Sequence, residues 1–530
     1  MGISDLERVK FVNCLHVDNS SGYWFGGIIR TDENWPIRFR HIPYHMGLTG
    51  SARWHGDSVI GIFEPSWFSS HSAAISISRK IPFYTNQTTN KLCFKSDKTA
   101  NYLMYKVCRA RDVVDIIRSR EQYLQTTSSA DDIEKEFPTI GSVIIDIDID
   151  SQGNLSHNLM KVCQTMRNLR LPIKAMYLIK EVDLFQKLDM NAISRTIAAC
   201  RTNHTFFAAE FGCYVRIRDV ENEFIDVTML VSQHNGSSIG AVQVRNETCF
   251  VLDFTKWKVR CWYADQVCKN PLYALVDYVA FYGGSASSLP VESTLNVTLG
   301  NLNLYSTAYV DVAWSIAKGL IVDVAYGTQT VPLFINIPTT LEHERNVIAM
   351  LLAASLQGYN MFVIQLDSNI PEYASMDEQQ RNRLRSWLQL AMVMPMLRVP
   401  ASIIHNPIFY ENLNYYKPIR DKYVLPHYHK AYLQNRLFGD PVMRPIWWFA
   451  KDRSSLLTYN HQFMIGNDLI VAAFLHSNEV NYRLYLPPGK WINPDTNVTN
   501  DGGTVITVHI GMKYNVVCFI RAEKLTDKPF

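Results

Sequence analysis

The sequence predicts a three-part chain, β then α/β then β, on three observations. Residues 1–130 hold short β-like runs broken by turn residues. Residues 131–436 alternate strand-length apolar runs with helical patterns, and residues 437–530 return to strands. Alternation of strands and helices is what a parallel sheet or barrel requires. The 530 residues are enough for several packed cores.

In the first part, Gly26-Gly27, Trp35-Pro36 and Glu64-Pro65 punctuate segments such as Ala73–Ile81, whose alternation has the strand period of two. An antiparallel sandwich uses such a pattern. The polar stretch Thr126–Glu136 marks a boundary. In the middle part, Ser142–Ile149 reads as a strand, Asn158–Arg170 as an amphipathic helix, and Ile173–Ile179 and Phe206–Ile217 as further strands. The clearest helix is Glu344–Gln357, with Gly358 as its C-cap; a second, Glu378–Ala391, turns Trp387 and Leu390 to a core. In the last part, Asp468–Leu475, Asn481–Leu486 and Thr504–Ile510 are strands, two of them separated by a Pro487-Pro488-Gly489 turn. No repeat of fixed period interrupts this order.

Composition narrows the function. Apolar residues make up 47% and charged residues 19%, and the net charge of +3 is spread without long runs of one sign. A nucleic-acid footprint and a polybasic membrane anchor are therefore not expected. No run of about 18 apolar residues predicts a membrane span. Met1–Cys14 carries acids and bases where the apolar core of a secretory signal would lie, so no signal peptide is expected. The ten cysteines form no CxxC pair and no Cys/His metal spacing, so a zinc site is not expected. Cys93 and Cys108 flank one predicted hairpin and are a candidate bridge. Sequons begin at Asn19, Asn86, Asn154, Asn203, Asn235, Asn246, Asn296 and Asn497, a mild signal for a glycoprotein.

Several strings carry a family resemblance. They are Tyr23–Gly27 with Trp35–Ile37, Glu64–Ser70, Lys91–Phe94, Leu252–Thr255, Phe281–Pro290, Arg385–Pro395, Gly439–Trp448, His461–Ala472 and Tyr485–Asn493. Their order and spacing resemble glycoside hydrolase family 31, more narrowly its branch of myogenesis-regulating glycosidases. The resemblance implies a (β/α)8 barrel between an N-terminal β-sandwich and C-terminal β-structure, acting on α-linked sugars without a cofactor. It also favours the secretory pathway. Such enzymes retain configuration with two carboxylates, a nucleophile and an acid/base, placed at the C-terminal ends of barrel strands.

The resemblance puts the nucleophile at Tyr282 and a nearby family Glu at Ser285, with Leu289-Pro290 in register. Tyrosine has a reference pKa of about 10 and is not ionised at neutral pH. It serves as a glycosidase nucleophile only with a base beside it, and Gly283–Ser288 supplies none. The acid loop corresponds to Ile337–His343, shortened, with Asn336 where the family has Arg. Counting back from Gly358-Tyr359 puts the acid near Leu341 or Glu342, and Glu342 or Glu344 could substitute for it. A Glu at a helix start is also a common dipole-compensating charge. A sugar-binding Asp falls on Gln365, with Asp367 two residues on, and Glu181 or Asp183 faces a family acidic pair. Trp314, Trp257 and Tyr326 are available aromatic platforms.

Three functions compete. The first is a catalytically impaired relative that binds a glycan, a glycoprotein or a protein partner. The second is an active retaining α-glycosidase with displaced carboxylates. The third is a structural subunit. Fold alone does not choose among them.

Overall fold

The computed structural model describes the chain outside residues 1–11, 18–21, 31–34, 38–41, 51–58, 89, 98–99, 101, 122–138, 150–153, 170–172, 222–224, 245–246, 340–345, 367–369, 452, 476–480, 510–514 and 523–530. Eight parallel strands form one closed barrel: β1 (Val143–Ile147), β2 (Ala175–Val182), β3 (Thr205–Gly212), β4 (Tyr278–Tyr282), β5 (Gly319–Val322), β6 (Phe334–Thr339), β7 (Phe362–Leu366) and β8 (Met396–Pro400). The expected (β/α)8 middle is therefore present, and its first strand lies within Ser142–Ile149. β1, β7 and β8 are buried along their whole length, which is why they read as continuous apolar runs rather than alternating ones.

By contacts the chain divides into two compact units, residues 1–116, 147–160 and 177–337, and residues 117–146, 161–176 and 338–530. The first unit carries two four-stranded antiparallel sheets ahead of the barrel strands. Trp24, Phe63, Trp67, Phe83 and Phe94 share one core there, with the Trp67 and Phe94 rings 4.7 Å apart. Gly26-Gly27 is not a turn: strand Trp24–Arg30 runs through it with a bulge. Both glycines have positive φ, and a Cβ on either would stand 2.3 Å from Ser66 or Trp67 atoms.

The expected Cys93–Cys108 bridge does not form. Cys93 lies directly opposite Cys14 in the paired strands Val12–His16 and Lys91–Ser96, and these two are bonded. Cys108 belongs to the other sheet, opposite Ala74, and is exposed and free.

The second unit contains the most apolar helix among the described residues, Val347–Leu356, in which every residue is buried; Gly358 follows in the left-handed conformation. Helix Glu378–Met392 opens with a capping box between Asp377 and Gln380 and buries Trp387 and Leu390. Arg398 of β8 and Asp146 of β1 form an ion pair of 2.7 Å that is 1% and 2% exposed. A six-stranded antiparallel sheet and a separate pair, Asn481–Leu486 with Thr504–His509, complete this unit. No helix among the described residues is long and apolar enough to cross a membrane.

Candidate active site

Tyr282 is the last residue of β4, at the C-terminal end of its barrel strand. The parallel register with β3 sets Gly212 beside Tyr282 and Glu210 beside Ala280. A Cβ on Gly212 would stand 2.3 Å from the Tyr282 Cζ, so the ring lies across bare backbone. Burial pushes the phenol well above its usual pKa, and the charges of Glu181 and Glu210 push it further the same way.

The turn after Tyr282 is tightly held. The Tyr309 hydroxyl donates to the Tyr282 carbonyl at 2.9 Å, and the Ser306 hydroxyl donates to the Gly284 carbonyl at 2.7 Å. Gly284 N–H donates to Cys213 Sγ at 3.3 Å, and burial raises that thiol to about 12. Ala286 N–H donates to Thr49 Oγ1 at 2.8 Å, tying the turn to the N-terminal part of the same unit. Gly283 and Gly284 have positive φ; a side chain on Gly284 would run into the Tyr309 ring at 2.1 Å.

Three carboxylates come from other strands of the barrel or their ends. Glu210, 1% exposed, belongs to β3. Glu181, near the end of β2, has φ 53°, a left-handed conformation that is uncommon for a non-glycine residue. Asp323 follows β5 and accepts from Gly283 N–H at 3.1 Å and from Asn336 Nδ2 of β6 at 2.9 Å. Its backbone is clamped by the sandwich strand Val59–Ser69: Ala325 N–H donates to the Gly61 carbonyl at 3.0 Å, and Phe63 N–H to the Ala325 carbonyl at 3.1 Å. A Cβ on Gly61 would sit 1.8 Å from the Asp323 carbonyl oxygen, so that approach requires glycine.

The other expected residues are placed differently. Ser285 adjoins Tyr282 but is 1% exposed, its hydroxyl 2.6 Å from that of Ser288 in the turn. Tyr326 is no open platform: it is 1% exposed, stacks on Phe63 at 5.7 Å and donates to the Arg79 carbonyl at 2.9 Å. Trp314 is 52% exposed at the end of helix Asn303–Ser315, which leads into the start of β5. It therefore lies at the opposite end of the barrel from Tyr282. Trp257 is 71% exposed at the start of an outer helix. Asp183 is engaged by Arg216 at 3.4 Å and Arg218 at 3.5 Å. Gln365 is 6% exposed in β7, and its carbonyl accepts from Thr339 Oγ1 at 2.7 Å. Glu342, Glu344 and Asp367 lie outside the described residues. Glu210 and Asp323 were not among the expected site residues. A lone acid in each apolar run, Thr205–Gly212 and Gly319–Ala325, was the signal for them.

Comparison with known proteins adds to this geometry. Residues 439–525 match the glycosyl hydrolase family 31 C-terminal domain. Mouse myogenesis-regulating glycosidase is 22% identical over 90% of this chain and 72% of its own length. In its C-terminal part and in its fold, the chain resembles glycosyl hydrolase family 31. A second relative, the SITS-binding protein of Tetronarce californica, is 21% identical over 97% of this chain and 76% of its own length. The structure of the Flavobacterium johnsoniae family 31 dextranase, complexed with glucose, superposes with a TM-score of 0.79 at 16% identity, covering 98% of this chain and 67% of that one. The family 31 domain match begins at Gly439 and takes in all six strands of the six-stranded C-terminal sheet.

Proposed function

We propose that this chain is a member of glycosyl hydrolase family 31 that binds an α-linked glycan, free or on a glycoprotein, at the C-terminal end of its barrel and has lost efficient hydrolysis. One observation carries the reading. The position that the family resemblance assigns to the nucleophile holds Tyr282, whose phenol is kept protonated by burial and by two carboxylates. A neutral phenol donates a hydrogen bond well and attacks an anomeric carbon poorly. Glu181, Glu210 and Asp323 supply acceptors for sugar hydroxyls. A three-part division at residues 130 and 436, and passage through the secretory pathway as a glycoprotein, belong to the same proposal. A protein partner is its other candidate ligand.

A second reading is favoured by the same charges. A tyrosine nucleophile needs a carboxylate base, and Glu181 and Glu210 are the carboxylates whose charge acts most on Tyr282. The test is turnover of aryl α-glucosides and α-galactosides by purified protein, beside glycan binding by calorimetry. Binding without turnover supports the proposal. Robust turnover that is abolished by Tyr282→Phe establishes the tyrosine nucleophile; turnover abolished by Glu342→Gln establishes displaced acids.

A further inference from the structure

We propose that Asn235 and Asn296 carry N-linked glycans that cover one side of the rim at the C-terminal end of the barrel; this rests on the reading of the chain as a secretory glycoprotein. Both asparagines head sequons, Asn235-Gly236-Ser237 and Asn296-Val297-Thr298. They are 61 positions apart, and the fold brings their segments together. Ser232–Gln233 pairs with Ser238–Ile239 on one side and with Ser293–Thr294 on the other, making a small three-stranded sheet. Asn235 occupies the tip of its hairpin, and Asn296 follows the third strand by two residues.

The position of this sheet follows from the topology. Its first two strands lie in the connection leaving β3, and its third lies in the connection leaving β4. Connections that leave barrel strands stand at the C-terminal end, where β3 brings Glu210 and β4 brings Tyr282. The sheet is held in a fixed form by Gln233 Nε2 donating to the Val291 carbonyl at 2.8 Å and by His234 Nδ1 at 2.6 Å from Glu292 Oε2.

The acceptor groups are open. Asn235 and Asn296 are exposed, and neither side-chain amide has a hydrogen-bond partner among the described residues. Asn235 adopts φ 58°, a turn conformation that asparagine tolerates better than most residues. Val291, two residues before the third strand, is 79% exposed, and an attached sugar offers it apolar cover. Asn86 is the internal contrast: it lies half-buried within strand Phe83–Gln87, opposite Cys93. In the transfer, the asparagine Nδ2 forms a bond to the anomeric carbon of a lipid-diphosphate-linked oligosaccharide. The bond from that carbon to the diphosphate oxygen breaks, and the amide gives up one proton.

The full chain, expressed in animal cells, is treated with peptide N-glycosidase in 18O water and mapped by mass spectrometry; each formerly glycosylated Asn reads as a labelled Asp. Label is expected at Asn235 and Asn296, and at the exposed turn positions Asn203 and Asn497, with Asn86 unlabelled. The double variant Asn235→Gln, Asn296→Gln should lose the mass of two glycans. Label at Asn203 or Asn497 without label at both Asn235 and Asn296 overturns the rim assignment and leaves the secretory reading intact. No label at any sequon overturns both.

Discussion

Replacing Tyr282 with Asp restores the residue type of a retaining nucleophile, and the structure argues that catalysis will not return. The ring is half-buried and lies across Gly212. Truncating a packed aromatic costs about 3–5 kcal/mol, with partial exposure setting this site at the lower end. The introduced carboxyl inherits the field of Glu181 and Glu210. At an effective dielectric near 20 each such neighbour opposes ionisation by about 1–3 kcal/mol, so a larger share of the new group stays protonated than in a free carboxylate, and that share is a weak nucleophile. A loss of about 3–5 kcal/mol lowers the melting temperature by about 5–8 °C for a cooperative unit of roughly 290 residues. The assay pairs calorimetry with fluoride release from an α-glycosyl fluoride, whose leaving group needs little acid help. A Tyr282→Asp variant that releases fluoride rapidly at an unchanged melting temperature would refute the reasoning. The pocket would then be intact, and Tyr282 would be a single switch rather than one sign of a decayed site.

Three further outcomes are expected. Cys14→Ser opens a loop of 79 residues and should cost about 4–5 kcal/mol by the chain-entropy model; adding reductant, which opens every disulfide, should lower the parent's denaturation midpoint at least as far as the substitution does, and an unmoved parent would count against the bridge. Arg398→Ala removes the cation paired with the Asp146 carboxylate, which is 2% exposed, and should cost about 3–5 kcal/mol in urea unfolding, whereas the double change Arg398→Met, Asp146→Leu should recover most of the loss. Burial lowers the pKa of His461 below its usual value. The unfolded chain therefore takes up its proton first, so this contribution to stability is complete above about pH 6.5 and is lost as pH falls below it. His461→Phe should flatten that part of the stability–pH curve, and an unchanged slope would exclude the imidazole as its source.

The sequence by itself determined the order of β, α/β and β parts, because strand and helix periodicity is written in neighbouring residues. Asn481–Leu486 is a strand at the expected bounds. Helix Glu378–Met392 starts where Asp377 and Gln380 make their capping box. Tyr282 was legible as a strand end only through the family resemblance carried by Phe281–Pro290. Tertiary structure decided the rest. Glu181, Glu210 and Asp323 act around one turn only because parallel neighbours in a closed barrel bring together strand ends separated by up to 142 positions. Cys14 takes Cys93 because two sheets divide the N-terminal strands between them, and a hairpin pattern does not say which sheet a strand joins. Tyr326 and Trp314 looked alike as aromatic platforms. One fills a core and the other faces solvent at the far end of the barrel, because burial depends on what packs against a side chain and not on its own chemistry.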